Sequence, residues 1–480
     1  MGGSRNVQVV VSPGHDCAVR GTAPLNIAIG LGAAALLIAL ALFLILGPIG
    51  GSATAQSSTT GGATYLGVAS CGGTTCHGRS HADGPVVRQD ELMLWQDPAT
   101  AAGAHSRAWD VLRGERSQAI GRRLGIGDPS SAPMCLGCHA TPAGRRGARF
   151  QTSDGVGCES CHGPASGWLS THYAVGGSHA ANVSRGLVPL DNARVRAAQC
   201  LDCHYGSAGA GQFVTHRIMA AGHPRISFEL DLFSTLQQHY DLDGDYRARK
   251  AGTDSARMWA IGQAMALDRA LSLFTTARGT EGLFPEFYFF DCHSCHRRIS
   301  DDPRFRPGAQ ANPGRPIPAG TPPFNDENMI MLAAAARVAA PALAQRFERD
   351  SRAFHAAIAR DRASAIATAQ ALRSSAQALA DAFSGAAMGR DQIFAIIEAI
   401  TGTALRERFT DYAGSVQAVM ATDTLLSALV NQGQIPAGAA SGIRNDINAA
   451  YRAVHDPNDY DPSGFRASLG RAAAAIRRLR

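Results

Sequence analysis

The sequence is poor in aromatic residues, and long parts of it lack cysteine or charge. Phe, Trp and Tyr make up only 6% of the 480 residues, so a core of this size needs apolar bulk from another source. No cysteine follows Cys295, which excludes disulfides and thiol ligands from the C-terminal part. No Asp, Glu, Lys or Arg lies between Arg20 and Arg79. The formal net charge of +6 is spread along the chain without a nucleic-acid motif, which argues against a nucleic-acid partner.

Ten of the 11 cysteines lie in five motifs that each end in histidine. C-x-x-C-H is the attachment signature of c-type haem: two thiols bind the vinyl groups as thioethers, and the histidine ligates iron. The first motif has four residues between its cysteines, so its loop must bulge for both thiols to reach the vinyls. The motifs read Cys71-Gly-Gly-Thr-Thr-Cys76-His77, Cys135-Leu-Gly-Cys138-His139, Cys158-Glu-Ser-Cys161-His162, Cys200-Leu-Asp-Cys203-His204 and Cys292-His-Ser-Cys295-His296.

Zinc and disulfides are the alternative uses of so many cysteines. A zinc site would pair C-x-x-C units and would not require a histidine after every second cysteine. Disulfides would not require that histidine either. We therefore predict five covalently bound haem c groups, which also supply the missing apolar bulk, and we interpret Cys17 as an ordinary thiol.

The N-terminal region contains a membrane-spanning candidate. Leu25–Ile49 is apolar except for Asn26, and a stretch of this length can cross a bilayer. Arg5 and Arg20 precede it, which favours a cytoplasmic N-terminus. Residues 53–55, Ala-Thr-Ala, resemble a signal-peptidase site, so cleavage is the alternative to a retained anchor. In both cases the rest of the chain is expected in the periplasm, where bacteria attach c-type haem.

Composition changes mark the domain boundaries. Residues 302–323 contain seven prolines, and beyond them alanine dominates and apolar residues recur at three- and four-residue steps. We expect a mainly α fold in which a haem-packed, loop-rich domain precedes a bundle of five or six helices. The predicted units are a cytoplasmic segment 1–24, a transmembrane anchor or signal segment 25–49, a flexible linker 50–64, a pentahaem domain 65–306, a Pro-rich linker 307–324 and a helical bundle 325–480.

Three helices are predicted individually from these patterns. Trp95–Leu112 is one candidate, and Ser255–Phe274 is a longer one with Met258, Ile261, Met265 and Leu273 available for a buried face. A third starts after an Asn325 N-cap, runs through Met329 to Phe347 and is expected to bend at Pro341.

Five proximal histidines leave five sixth positions on iron to fill. Ligation by two histidines is the default in proteins that pack many haems into little chain, and non-motif histidines are numerous enough here. His293, between two cysteines of its own motif, is predicted to face solvent, and His355 and His455 are predicted at the surface of the bundle. The candidates before Asp302 are His81, His105, His172, His179, His216, His223, His239 and His293.

Four stretches resemble bacterial multihaem cytochromes of the c-552/c-554 type, over roughly residues 65 to 300. They are Tyr65-Leu-Gly-Val-Ala-Ser-Cys, the segment from Trp95 to His105-Ser-Arg-Ala, Cys158-Glu-Ser-Cys-His-Gly-Pro, and Ala220-Ala-Gly-His-Pro-Arg-Ile-Ser-Phe-Glu-Leu. The resemblance departs from the tetrahaem members of the family in the fifth motif and in the cysteine-free bundle.

The resemblance implies distal iron ligands. His105, after the Trp95 segment, and His172, after the Cys-His-Gly-Pro motif, match two distal histidines of the family. His216 and His223 look like two further distal ligands. For the fifth iron, His239 is preferred over His81.

Two functions from different classes remain open. Closely spaced haems can carry electrons without a substrate pocket, and the expected partners are other cytochromes or a quinol dehydrogenase. The alternative is a multihaem oxidoreductase acting on a small nitrogen or sulfur compound at one open haem. Pentahaem nitrite reductases mark that haem with Lys in place of the motif histidine, whereas every motif here ends in histidine. We therefore expect an electron carrier with no catalytic residue; the bundle could additionally dock a partner.

Overall fold

The computed structural model describes residues 62–83, 87–142, 144–209, 211–241, 254–280, 285–296, 316–317, 321–406 and 412–480. The predicted cytoplasmic segment and anchor, including Leu25–Ile49 and Cys17, lie outside these residues, as does most of the predicted Pro-rich linker. The described part is mainly α-helical, as the sequence predicts, and belongs to one unit that spans Ser58–Arg480.

Short helices joined by loops form the N-terminal half. Two-residue strands, β1 (Thr64–Tyr65) and β2 (Arg145–Arg146), pair in parallel with Thr64 opposite Arg145. The helices are α1 (Glu91–Gln96), α2 (Glu115–Leu124), α3 (Pro133–His139), α4 (Cys158–His162), α5 (Leu169–His172), α6 (His179–Val183), α7 (Ala193–His204), α8 (His216–Ala220), α9 (Leu230–Leu236), α10 (Ser255–Phe274) and α11 (Ala277–Thr280). Short 3-10 turns lie at Val68–Ser70, Ala102–Ala104, Asp110–Arg113, Thr152–Asp154, Ala165–Gly167, Phe287–Phe289 and Cys292–Ser294.

Longer helices form the C-terminal half. They are α12 (Glu327–Ala339), α13 (Pro341–Ile358), α14 (Arg362–Gly385), α15 (Arg390–Ala404), α16 (Tyr412–Asn431), α17 (Ala437–Ala453) and α18 (Pro462–Arg477), with a 3-10 turn at Pro457–Asp459. The bundle therefore has more helices than the five or six expected. One reason is Pro341, which starts α13 as its first residue instead of bending a continuous helix, since proline suits the first helical turn.

The helix α10 connects the two halves of the fold. It matches the bounds predicted from the sequence, and Trp259, Leu271 and Phe274 on it are fully buried. It packs against α7 on one side and against α12, α14 and α16 on the other. One hydrophobic core therefore continues from α7 to α18. The predicted boundary between residues 306 and 325 stays a prediction, because residues 297–315 and 318–320 are not described.

The segment predicted as a helix over Trp95–Leu112 is not one helix. The helix α1 ends at Gln96, before Asp97-Pro98, and 3-10 turns follow at Ala102–Ala104 and Asp110–Arg113. The cause is Pro98, which disfavours helical backbone in the residue before it. The break leaves His105 in a turn and not on a regular helix face.

The helix α16 is the one described helix that is long and apolar enough to cross a membrane. It spans Tyr412–Asn431, and 89% of its apolar window is buried inside the protein. It contacts α10, α12, α15 and α17, as expected for the central helix of a bundle.

Candidate functional site

Three of the five motifs occupy the ends of helices. The helix α3 ends at His139, α4 spans Cys158–His162, and α7 ends at His204. Residues three and four apart share one face of a helix. Each of these motifs therefore presents both thiols and its histidine on the same side.

The first and last motifs reach a similar arrangement without a regular helix. In the first, the Cys76 amide donates to the Gly73 carbonyl at 2.8 Å, and the His77 amide donates to the Cys71 carbonyl at 3.1 Å. These bonds fold the two extra residues into the bulge that the spacing requires. In the last, the His296 amide donates to the Cys292 carbonyl at 2.8 Å, as in a single helical turn.

Every motif histidine faces a second histidine from elsewhere in the chain. The distances between ring centroids fall in a narrow range, from 6.1 to 6.3 Å. The five partners are the same five histidines that the sequence and the resemblance selected as distal ligands. The pairs are His77–His172, His139–His223, His162–His239, His204–His105 and His296–His216.

This spacing fits a metal ion between the rings. Two metal–nitrogen bonds of about 2 Å, plus the distance from each bonding nitrogen to its ring centre, separate the centroids by roughly 6 Å. Rings in direct van der Waals contact would lie closer when stacked. The histidine pairs, each beside two cysteines, therefore suit five haem c groups held by two thioethers and two imidazoles.

Outer hydrogen bonds orient several of these rings through Nδ1. His77 Nδ1 donates to the Glu91 carboxylate at 2.9 Å, and His139 Nδ1 donates to the Ala108 carbonyl at 2.7 Å. His223 Nδ1 donates to the Pro224 carbonyl at 2.8 Å. An Nδ1–H engaged in this way leaves Nε2 unprotonated and free to bind a metal, which is the usual arrangement of a metal-ligating histidine.

Burial keeps other site histidines in the neutral form that ligates metals. Desolvation lowers the pKa of His162 to about 3 and that of His204 to about 4. Desolvation likewise raises the pKa of the Cys161 thiol to about 11. At neutral pH these side chains carry no charge, which suits burial beside a large apolar group.

The motifs contact one another in an order that differs from their order in the sequence. The neighbouring Cys158 thiol of the third motif is the main cause that lowers the pKa of the Cys71 thiol of the first motif. In the second and fourth motifs, Cys138 Sγ lies 3.9 Å from the Cys203 carbonyl oxygen. The Gln199 side chain on α7 donates to the Ser160 carbonyl, which joins the fourth motif to the third.

The fifth motif is connected through α8 and a half-buried arginine. The helix α8 begins at His216, the partner of His296, and His223, the partner of His139, follows it closely. Arg225 Nη1 lies 3.6 Å from Cys292 Sγ, and Arg225 Nη2 lies 3.9 Å from the Glu327 carboxylate on α12. The second and fifth motifs therefore share one short segment.

Sequence reasoning missed two carboxylates of the site. The buried Glu159, inside the third motif, accepts hydrogen bonds from the amides of Leu66, Gly67 and Ala165 at 2.9, 2.8 and 2.6 Å. It therefore fastens the segment after β1 to this motif. A carboxylate between the two cysteines of the motif was the available signal for it, whereas nothing in the sequence links Glu91 to His77.

The remaining histidines lie apart from these pairs. His81 is exposed, and His179 lies 3.3 Å from the Asp191 carboxylate. The prediction that His293 faces solvent is wrong, because its ring is half-buried against Tyr460 at a centroid distance of 5.0 Å. The surface prediction for His355 is also wrong. It is 3% exposed and lies 3.4 Å from Asp326, because the start of α12 covers it, whereas His455 is exposed as predicted.

None of the ten motif cysteines forms a disulfide. Cys76 and Cys295 are exposed, and the other eight are half-buried. Across the described ranges, no group of three or more His, Cys, Asp or Glu side chains is arranged to hold a metal ion by itself.

Comparison with known proteins gives one family match. A family model described as cytochrome c554 and c-prime matches residues 74–163, a span that contains the second and third motifs and most of the first. The match supports a cytochrome c of the c554 type, a haem c electron-transfer protein. No curated protein and no solved structure matches the chain significantly.

Proposed function

We propose that this chain is an electron carrier with five haem c groups, each attached by two thioethers and ligated by two histidines. The supporting observation is the set of five histidine pairs, each joining one motif histidine to one distant histidine at 6.1–6.3 Å between centroids. Haem iron supplies one-electron chemistry, and the protein sets its ligation, spacing and electrostatic surroundings.

The chain's own residues favour a carrier over an enzyme. Both faces of each haem site are lined by an imidazole, so a small oxyanion would have to displace a histidine to reach iron. Contacts between the motifs support a spatial order in which the first motif is followed by the third, the fourth, the second and the fifth. Cysteines are exposed only in the first and fifth of these motifs, which suits the ends of such a series.

The stoichiometry is tested by counting haems and spin states. We expect five haems per chain in the pyridine haemochrome assay and five haem masses added to the intact chain. Low-temperature EPR of the oxidised protein should show low-spin iron without a high-spin component, because every iron has two strong-field imidazoles. Two or fewer haems would reject the proposal, and a stoichiometric high-spin signal would favour the oxidoreductase.

The angles between the paired histidine rings predict the shapes of the EPR signals. The His77–His172 and His216–His296 rings are inclined by 24° and 39°, whereas the other three pairs are inclined by 70–90°. Near-parallel imidazoles split the iron d orbitals that they bond with, and perpendicular imidazoles leave those orbitals nearly equal in energy. We therefore expect two ordinary rhombic signals and three signals with a large maximum g value.

We further propose that the protein acts in the periplasm, held at the inner membrane by residues 25–49, where it exchanges electrons with other cytochromes or a quinol dehydrogenase. The apolar stretch preceded by Arg5 and Arg20 supports this placement. Fractionation should recover haem-loaded protein in the membrane fraction and release it with detergent but not with salt. Haem-loaded protein in the cytoplasm would reject export, and release by salt alone would reject the anchor.

A further inference from the structure

One glutamine contacts distal histidines of two different pairs. Gln237 directly follows α9, and its side-chain amide oxygen hydrogen-bonds His105 Nδ1. Its main-chain carbonyl lies 3.1 Å from His239 Nδ1. His105 faces His204 of the fourth motif, and His239 faces His162 of the third motif.

The position of Gln237 at a helix end explains the main-chain contact. The last carbonyls of an α-helix have no partner within the helix. The main-chain N–H of Gln237 continues the helix by donating to the Phe233 carbonyl at 3.0 Å. The main-chain carbonyl of Gln237 has no such partner within the helix. A carbonyl can only accept, so His239 must carry its proton on Nδ1 and present a bare Nε2 to the opposite ring.

A second contact fixes the orientation of the Gln237 side chain. Its Nε2 donates to the Ala102 carbonyl at 3.4 Å, in the turn that precedes His105. The amide oxygen must then point to His105, which donates from Nδ1. Gln237 thus fixes the same tautomer, with the proton on Nδ1, in both His105 and His239.

The histidine pair of the fourth motif depends on the Gln237 side chain more than the pair of the third motif does. His204 Nδ1 is buried and has no hydrogen-bond partner within the described part of the chain. The ring of His204 is instead stacked on Phe228 at 4.6 Å between centroids. Gln237 therefore supplies the hydrogen bond that orients the His105–His204 pair.

The helix α9 holds Gln237 rigidly in place. Its N-cap Glu229 accepts from the amides of Asp231 and Leu232, both at 2.8 Å, and from the Thr424 hydroxyl on α16 at 2.8 Å. The same helix packs against α10. Gln237 is thus coupled to the C-terminal bundle by a buried hydrogen bond and by side-chain packing.

We infer that Gln237 is a shared positioning residue, which orients the distal ligands of two neighbouring irons with its side chain and its main-chain carbonyl. This inference rests on the proposed ligation. An acceptor at Nδ1 makes an imidazole a stronger donor to iron, and a stronger donor stabilises the oxidised state. The side chain of Gln237 therefore adjusts the potential of the haem at the fourth motif alone, since only the main chain contacts His239.

Two substitutions should shift one potential in opposite directions. Gln237→Leu removes the acceptor and should raise the potential of one haem, while Gln237→Glu supplies a stronger acceptor and should lower it. Each shift should change the ratio of oxidised to reduced iron at that haem up to about tenfold, which is about 59 mV for one electron. A redox titration followed optically and by EPR measures it, and the other four haems should titrate as in the wild type.

Two controls separate this role from general disturbance. Gln238→Leu removes the neighbouring amide, which donates to the Tyr240 carbonyl at 2.8 Å, and should leave all potentials unchanged. In a His105→Ala background, the Gln237 substitutions should lose their effect. Unshifted potentials in both Gln237 variants would overturn the inference, and so would an equal shift in Gln238→Leu. Either result would leave the proposed function intact if the wild type still contains five low-spin haems.

Discussion

Replacing His172 with Ala should open one iron and leave the other four unchanged. His172 faces His77 across a gap of 6.1 Å between ring centroids. Cys71, Cys76 and His77 are untouched by the substitution, so the haem should remain attached. Without the second imidazole, that iron should become high-spin or water-bound, and its potential should rise because a weaker donor stabilises the oxidised state less.

Carbon monoxide measures this opening. The reduced His172→Ala protein should bind about one equivalent per chain, while the reduced wild type should bind almost none. The matched control is His179→Ala, because His179 lies nearby in sequence but pairs with Asp191 and with no motif histidine. Rapid, stoichiometric binding of carbon monoxide or nitrite by the wild type would contradict ligation by two histidines and would favour the oxidoreductase.

The local part of the site could be predicted from the sequence. Proximal histidines follow from motif spacing, because both thiols and the next histidine must share one face. The distal residues followed from a resemblance and from counting histidines, and the sequence shows no contact that separates His239 from His81. In the structure, His239 faces His162 at 6.3 Å between ring centroids, whereas His81 is exposed.

The outer contacts of the site could not be predicted. Gln237 and His105 are 132 residues apart in sequence, and their hydrogen bond depends on where α9 ends. Glu91 and His77 are closer in sequence, yet no sequence pattern indicates that their side chains contact each other. Hydrophobic periodicity shows which face of a helix is buried, but not which element covers it.

The helix α10 illustrates the same limit at the level of the fold. Its bounds and the buried Met258, Ile261 and Leu273 follow from its apolar spacing. The composition change beyond residue 323 suggested that the cysteine-free helices form a separate unit. The packing of α10 against α12, α14 and α16, which joins this helix of the predicted haem region to the core of the bundle, could not be read from that change.

Ending the chain at Pro323 should therefore prevent stable folding of the haem region. The truncation removes α12, α14 and α16, which pack on α10, the helix that carries Trp259, Leu267, Leu271 and Phe274, each at most 2% exposed in the full chain. Burying one large apolar side chain contributes about 1.5–3 kcal/mol, so exposing four costs roughly 6–12 kcal/mol, comparable to the about 5–15 kcal/mol stability of a typical domain. The truncation also removes Glu327 and Asn328, to which the buried Tyr205 hydroxyl hydrogen-bonds.

Haem content and resistance to trypsin distinguish the outcomes. The fragment ending at Pro323 should be degraded or recovered with fewer than five haems when it is exported by its own N-terminal segment. Supplying residues 324–480 as a second exported chain should restore both properties, because the two pieces share one core and the cut lies between α11 and α12. Rescue would show that the contact between the pieces, and not the length of the chain, holds the haem region together. A soluble, trypsin-resistant fragment with five haems and no second chain would instead establish two independent domains and would return the boundary to the position that composition indicates.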